Sequence, residues 1–412
     1  MKKMLMIAYY YPPRGGGGVQ RTVKFTKYLP QFGIHPVVLT SGTAPTNLTD
    51  KSFAVANDVV HVPYREPGRI LGRLYEYIRF ERVSGWVRPA TRQALKTIHE
   101  QGIEVIYSTA SPYNNHVVAL HVARELGLPW IADFRDLWTG NALYRARSPW
   151  IARRHKRLEE TIYREATKIL VTSPSQKRQV IEDFSVEPDK ITIITNGFDA
   201  EDFPDYLAHG GVQDPSRQQS LISKPEHPVT IGYLGSYYAQ YRPEDLLLAL
   251  RFIKRRKPEA AKLIKFAFVG DYDRSSLAAL THPDLTDIVT VHPYMPHDKL
   301  QSFRQNLDAN FVHLPAEGDR IKAMIPQKVF EYLATGKPIF AVLPPSDVSD
   351  LLTKHKAARI APAGDPIGIA HALLAFVEEL KQGTAPAVRG SLREYERKTL
   401  TGQLADVVKG LS

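Results

Sequence analysis

The chain alternates short apolar runs with helical segments twice over, and this alternation restricts its fold more than any other feature. In the first half "MLMIAYYY", "HPVVLT", "VIYSTA", "WIADFRD", "KILVTSP" and "ITIITNG" read as strands, with helical spacing between them. The first helical segment runs from Val19 to Leu29: Val19, Thr22, Val23, Thr26 and Leu29 share one face, and Pro30 followed by Gly33 closes it. Residues 207 to 228 interrupt the pattern with Gly, Ser, Pro and Gln and read as a linker. The same grammar then restarts with "VTIGYLGS", "IKFAFVGD", "IVTVHPY", "ANFVHL" and "KPIFAVL". Strands joined by crossover helices make parallel sheets covered on both faces. The expectation is therefore α/β, with two Rossmann-like doubly wound lobes, residues 1–206 and 229–388, facing each other across a cleft. Residues 389–412 form an amphipathic segment expected to cross back to the first lobe.

A chain of 412 residues, 43% hydrophobic, has enough apolar material for two cores. It contains no cysteine, which excludes disulfides, thiolate metal sites and a cysteine nucleophile, and fits a reducing cytoplasm. Tyrosines and prolines interrupt the apolar start, "MKKMLMIAYYYPP", so it reads as a first strand rather than a leader. No apolar run approaches the roughly 20 residues that a membrane-spanning helix needs. A net charge of +11 points to an anionic partner: a phosphorylated small molecule, an anionic lipid surface or nucleic acid.

The first strand runs into "RGGGGVQR" and then a helix, an arrangement that turns backbone N–H groups and a helix N-terminus toward an anion. A triphosphate loop would need G-x-x-x-x-G-K-[ST], but Gly18 is followed by Val19, Gln20 and Arg21. A dinucleotide fingerprint would need a third glycine, where Arg21 stands, and a carboxylate ending the second strand, which "HPVVLTSG" lacks. Two readings remain: a flexible turn with no ligand and, the better fit to four glycines, a bare backbone that lets a bulky ligand approach Gly16, Gly17 and Gly18, with Arg14 and Arg21 flanking it.

Taken in order, "YYPPRGGGGVQR", "TASPYNNHVVA", "DFRDLW", "VTSPS", "TNGFD", "GYLGSYY" and "IPQKVFEYLATGKPI" resemble the GT-B retaining glycosyltransferases of glycosyltransferase family 4. The resemblance spans nearly the whole chain. It implies transfer of a sugar from a nucleotide-diphosphate donor, a UDP-sugar first, to a hydroxyl of a glycan, glycolipid or other glycoconjugate, in surface polysaccharide synthesis. It also implies a hexosyltransferase with no cofactor and no bound metal, the nucleotide sugar being a co-substrate. The first lobe would bind the acceptor and the second the donor.

In such a reaction the leaving diphosphate gains charge, so cations and amides must face it. The family's donor loop offers an arginine and a lysine. Here Ser236 stands nearest the arginine position, the lysine is absent, and Arg242 is the cation at hand. Lys328 shares a helix face with Glu331 and supplies a second positive charge. By resemblance, Glu331 accepts from the ribose hydroxyls. The family's other glutamate, eight positions earlier, is Ala323 here, and Glu317 sits at the wrong spacing. Sugar recognition is then expected from backbone amides around Met324, Ile325 and Pro326. In the first lobe the resemblance turns His116 toward the donor sugar or its phosphate. Asp133, Arg135 and Asp136 end a strand, where a cleft would place acceptor contacts, although Arg135 fits an internal ion pair with Asp133 or Asp136 equally well.

"GDYD", Gly270 to Asp273, matches an Asp-x-Asp metal motif by letter only, and the 14 histidines show no H-E-x-x-H spacing, so no metal is expected. Cations and aromatics interleave in residues 64–93 and 143–168, a composition suited to an anionic membrane face. No nucleic-acid recognition motif accompanies it. The expected location is cytoplasmic, peripheral on the inner face of the plasma membrane. Two rival readings are a nucleotide-sugar epimerase of the same fold and a non-catalytic nucleotide-sugar or polysaccharide binder.

Overall fold

The structure, a computed structural model, describes residues 1–42, 49–50, 58–64, 81–142, 144–213, 227–237, 241–316 and 318–411. Two doubly wound parallel sheets are present, as the alternation of runs requires. The first unit comprises Met1–Asn196 with Arg397–Ser412, and the second Gly197–Glu396.

In the first unit the strands are β1 (Lys2–Ile7), β2 (Ile34–Thr40), β3 (Val59–His61), β4 (Val105–Thr109), β5 (Trp130–Phe134), β6 (Lys168–Val171) and β7 (Ile191–Ile193). They lie side by side in the order β3-β2-β1-β4-β5-β6-β7, all parallel. Burial on both faces explains their unbroken apolar sequences. Leu5 and Ile7 of β1 join one core with Ile106, Ala132 and Trp130, while Met4 and Met6 join another on the opposite face with Tyr107, Ile131 and Leu170.

Helices α1 (Gly17–Tyr28), α2 (Val87–Gln101), α3 (Asn114–Leu126), α4 (Pro149–Glu165) and α5 (Pro174–Phe184) flank this sheet. Two begin with Ser-Pro, where the serine hydroxyl accepts the N–H two residues beyond the proline and the proline takes the first helical position: Ser148 for α4 and Ser173 for α5. Helix α1 starts two residues before the predicted Val19. Its last residues pass into a 3-10 turn, Leu29–Phe32, because Pro30 can begin such a turn without an N–H; Gly33, at φ 79°, then ends it.

The second unit carries β9 (Val229–Leu234), β10 (Ile264–Val269), β11 (Val289–His292), β12 (Ala309–His313), β13 (Ile339–Leu343) and β14 (Ala358–Pro362), in the order β11-β10-β9-β12-β13-β14. Helices that bear on function are α6 (Glu244–Arg256), α7 (His297–Gln305), α8 (Gln327–Thr335) and α9 (Pro366–Gln382). A small antiparallel pair, β8 (Val212–Gln213) with β15 (Gly390–Ser391), completes the unit. Residues 214–226 of the proposed linker lie outside the described residues.

The chain passes between units at Asn196 and Gly197, earlier than the expected 206, and returns at Arg397 rather than 389. The cause is local packing. Phe198 meets Phe203 and Tyr206 edge-on, the Tyr206 hydroxyl donates to Glu396 at 2.8 Å, and the Phe198 N–H donates to the Tyr395 carbonyl at 3.1 Å. Helix α10 (Arg397–Lys409) belongs to the first unit, where Leu400, Leu404 and Val408 pack with Val19 and Val23 of α1. Lys2 extends its ammonium to the carbonyls of Val408 and Leu411, where a helix C-terminus favours a cation.

Candidate functional site

In each sheet the strand order reverses direction once, between β1 and β4 in the first unit and between β9 and β12 in the second. Ligands of such sheets bind outside the carboxyl ends of the strands at that point. The loops there are Tyr9 to Gly18 and Thr109 to Tyr113 in one unit, and Gly235 to Tyr237 and the segment after His313 in the other.

In the first unit Gly16 adopts φ 98°, a conformation that side chains resist, and caps α1 with no side chain of its own. Gly17 is the first residue of α1, and the Gly18 carbonyl accepts from Arg135 Nη1 at 2.7 Å. Arg14 lays its guanidinium 3.8 Å from the Tyr10 ring centroid, beside the loop. Two side chains hold the strand-end loops together. Asn115 takes the Tyr9 N–H at 3.2 Å and gives its own amide to the Thr109 carbonyl at 2.7 Å. Arg135 reaches the Ala110 carbonyl as well as that of Gly18, so three strand ends are tied by one guanidinium.

Several expected contacts in this unit are corrected. Arg21 is fully buried, not a flanking surface charge. It grips Asp133 with Nε at 2.7 Å and Nη2 at 3.1 Å and donates further to the carbonyls of Thr195 and Ile194. Asp133, also fully buried, accepts from the Tyr107 hydroxyl too, so neither residue is available to an acceptor. Arg135, expected either to touch an acceptor or to pair with an aspartate, spends its donors on carbonyls. Asp136 is half-buried, and burial pushes its carboxyl up against the opposing pull of Arg135.

His116 is also corrected: it is wholly buried and packs against Phe134 at 4.4 Å. Trp130 Nε1 donates to Ser108 Oγ at 2.8 Å, and Ser108 Oγ shares a further hydrogen bond with His116 Nδ1 at 2.7 Å, while His116 Nε2 is buried with no hydrogen-bond partner among the described residues. Burial drives this histidine down to about 3, so it stays neutral in the core.

In the second unit Gly235 sits at φ 152° and the chain turns so tightly that a side chain on Gly270 would strike the Gly235 carbonyl. Ser236 Oγ accepts the Asp271 N–H at 3.2 Å. Asp273, the second acid of the Asp-x-Asp pattern, N-caps the helix Arg274–Leu280 by accepting from the Ser276 N–H at 2.7 Å. Among the described residues no group of three or more metal-ligating side chains is present. Lys328, the second residue of α8, lays its ammonium 3.6 Å from the Tyr233 ring centroid and occupies the space a Gly235 side chain would need. Burial lowers this lysine to about 7, with Glu331 pulling the other way. Tyr233 also stacks on Tyr237 at 4.2 Å.

Glu331 is buried on α8 and accepts from Arg304 Nη2 at 2.6 Å and from Gln327 Nε2 at 3.0 Å. Sequence reasoning missed Arg304: it lies on α7, and no spacing relates it to Glu331. Arg242 stands before α6 with Nε 3.8 Å from Glu244. At the corner of Met324, Ile325 and Pro326 the Met324 N–H binds the Ile321 carbonyl at 3.1 Å and proline has no N–H, and the first turn of α8 follows directly. Glu317 lies outside the described residues.

The family model Glycosyltransferase Family 4 matches residues 15–202, and the model Glycosyl transferases group 1 matches residues 228–379. The chain belongs to these glycosyltransferases. A D-inositol 3-phosphate glycosyltransferase of Frankia alni is 22% identical over 77% of this chain and 75% of its own. Among solved structures, sucrose-phosphate synthase of Thermosynechococcus elongatus has a TM-score of 0.66 at 13% identity, covering 100% of this chain and 99% of that one. HepE of Anabaena, solved in complex with UDP and glucose, has a TM-score of 0.65 at 15% identity, covering 100% of both chains. The fold of this glycosyltransferase is GT-B.

Proposed function

We propose that this glycosyltransferase moves a hexosyl unit from a nucleotide-diphosphate sugar, a UDP-sugar first, to a hydroxyl of a glycan, glycolipid or other glycoconjugate, with retention and without a metal, in surface polysaccharide synthesis. The observation that carries this reading is the switch point of the second unit, where Lys328 and the bare turn at Gly235 lie together with Glu331 on the same helix as the lysine. A diphosphate at that turn draws the Lys328 ammonium off the Tyr233 ring and meets the first amides of α8, while the ribose hydroxyls replace Gln327 on Glu331. The UDP complex of HepE supports the choice of donor. Arg242 and Ser236 complete the donor loop.

The bond from the sugar C1 to the phosphate oxygen breaks as the bond from C1 to the acceptor oxygen forms on the same face. The acceptor proton passes to the departing phosphate oxygen, so no protein base is required. Lys328, protonated when the diphosphate binds, stabilises the charge that builds on the leaving group.

A basic face supports work on a membrane surface. Helix α4 exposes Arg153, Arg154, Lys156 and Arg157, and Trp150 beside them is 61% exposed. Residues 65–80 of the other basic stretch lie outside the described residues, and among those described no helix is long and apolar enough to cross a membrane. The test is a panel of UDP-, GDP- and dTDP-sugars read by thermal shift and slow donor hydrolysis. Stabilisation and turnover with one base are expected, and silence across the panel overturns the proposal.

A further inference from the structure

The first unit holds a pocket of about 310 Å³, built where β4 and β5 end and α4 begins. That is the lower end of the range for small-molecule sites, enough for one compact group. Its wall is aromatic. Tyr113 and Trp138 stack with ring centroids 4.9 Å apart, Trp138 meets His155 at 5.2 Å, and the Tyr144 hydroxyl binds His155 Nδ1 at 2.8 Å. Tyr113 and Tyr144 are only half-buried and present ring surface to the pocket.

The wall is fixed from behind. Buried Glu159 accepts the N–H groups of Trp138 and Thr139 at 3.1 and 3.0 Å, and the Tyr113 hydroxyl donates to the Leu137 carbonyl at 2.7 Å. Such anchoring keeps the shape without a ligand, which lowers the cost of binding one.

The charge of the pocket is positive. Arg145 and Arg147 line it and are exposed, and Arg145 Nη1 is held at the rim by the carbonyls of Ala142 and Tyr144, each at 2.9 Å. Glu81 also lines it, but its carboxylate accepts the Tyr113 and Asn114 N–H groups at 3.1 and 2.9 Å and the Asn114 side chain at 2.7 Å, so it faces the N-terminus of α3. His155 is neutral, burial having lowered it to about 4. The exposed cations of α4 add to the field over the opening.

We infer that this pocket binds the acceptor through one sugar ring bearing an anionic group, a phosphate or a carboxylate, with the ring against Tyr113 and Tyr144 and the anion at Arg145 and Arg147. Aromatic faces suit the apolar faces of a pyranose, and two guanidiniums suit a dispersed anion. The inference rests on the glycosyltransferase reading for calling the ligand an acceptor; the ligand's chemistry follows from the pocket alone. The sugar can be part of a soluble glycan or a lipid-linked saccharide phosphate.

Calorimetric titration of the full chain with glucose 1-phosphate, glucuronic acid and methyl glucoside tests the chemistry, with UDP titrated in parallel. The charged sugars should bind at least about tenfold more tightly than methyl glucoside, a difference that shrinks with added salt. The double variant Arg145→Ala, Arg147→Ala should lose that tenfold, and Tyr113→Leu should weaken all three sugars. An unchanged circular dichroism spectrum and melting profile of each variant report that its first unit is folded. Phosphatidylcholine vesicles carrying a polyprenyl phosphoglucose distinguish the two sources: capture of these vesicles, lost in the arginine variant, assigns the lipid-linked form even if soluble sugars bind more weakly. Equal binding of charged and uncharged sugars, or charge-selective binding indifferent to the arginines, overturns the inference. So does equal capture of plain phosphatidylglycerol vesicles, which would make the arginines a membrane contact. If sugars bind and UDP does not, the donor reading fails and the pocket stands; if UDP binds and no sugar does, the pocket fails alone.

Discussion

The two units share a topology and differ in how they use the polar residues at its switch point. In the first, Arg21 and Asp133 are spent on each other, Arg135 and Asn115 on backbone groups of the loops, and His116 Nδ1 on the Ser108 hydroxyl. In the second, Lys328 lies on an aromatic ring with a depressed pKa, and Glu331 is shared between an arginine and a glutamine. A buried ion with every hydrogen bond satisfied is scaffold, whereas a cation held only by a ring face can change partners when a stronger anion arrives. Residue type alone does not separate these roles; the partner does.

The sharpest way to break this contrast is to remove one partner of the buried pair. Arg21→Ala leaves Asp133 buried without its counter-ion, so unfolding by denaturant should show a loss of about 3–5 kcal/mol. A loss below about 1 kcal/mol, with weakened acceptor use, would restore Arg21 to the binding surface. The second unit should respond in the opposite manner. Lys328→Met should leave stability nearly unchanged and weaken UDP by about 1.5–3 kcal/mol, roughly ten- to hundredfold, because a charge-assisted contact is lost. The pH dependence follows from its depressed pKa of about 7. Above that pH the free lysine is largely neutral and must take up a proton to meet the diphosphate, so UDP affinity should fall as pH rises from 7 to 9. Titration in buffers of different ionisation enthalpy should detect that uptake in the native chain and not in the variant. Stability runs with the opposite sign: below the unfolded value of 10.5 the unfolded chain binds the proton first, so stability declines as pH falls toward 7.

The sheets were legible because strands buried on both faces write continuous apolar runs. Two of the four described edge strands of the parallel sheets did not show: Val59–His61 is three residues long and partly exposed, and Ala358–Pro362 ends in a proline and carries Arg359. The family was legible in motif order, and so was the helix that carries Lys328 and Glu331. What sequence could not distinguish was a cation facing a ligand from one facing its own chain. Arg21 reads as a loop-flanking charge until Asp133, on β5, is seen to reach it across the sheet. Arg304 and Glu81 were missed for the same reason: each acts on a helix remote in sequence, and burial, not composition, gives them their roles.

A smaller effect separates the two units by pH. Burial raises Glu81 of the first unit to about 7, while the hydrogen bonds from Asn114 and Tyr113 pull it down. The folded state therefore binds the proton more tightly than the unfolded chain, and stability should be highest below about pH 4.5 and fall as pH rises through 7, by at most about 1.4 kcal/mol per unit. In Glu81→Gln that slope should vanish, whatever constant offset the lost acceptor imposes. A slope that persists would assign the titration elsewhere, and one that reverses would mean that the N-terminus of α3 holds the carboxylate charged.

The smallest expected effects lie in the glycine loop, and they divide it. At Gly16 the backbone is left-handed, so Gly16→Ala should cost about 1–2 kcal/mol even though a methyl group there meets nothing within 4 Å. At Gly18 the backbone is helical and a methyl group would rest 3.6 Å from the Arg135 guanidinium, an ordinary contact. Gly18→Ala should therefore be neutral or stabilising by up to about 1 kcal/mol. Activity then reads the loop's purpose. If the bare backbone serves close approach, Gly18→Ala should slow transfer while melting at or above the native temperature, and Gly16→Ala should lose more activity than its stability explains. If both variants lose activity only in proportion to stability, the glycines serve the turn, and the first unit contributes its arginine-tied scaffold without a ligand contact at this loop.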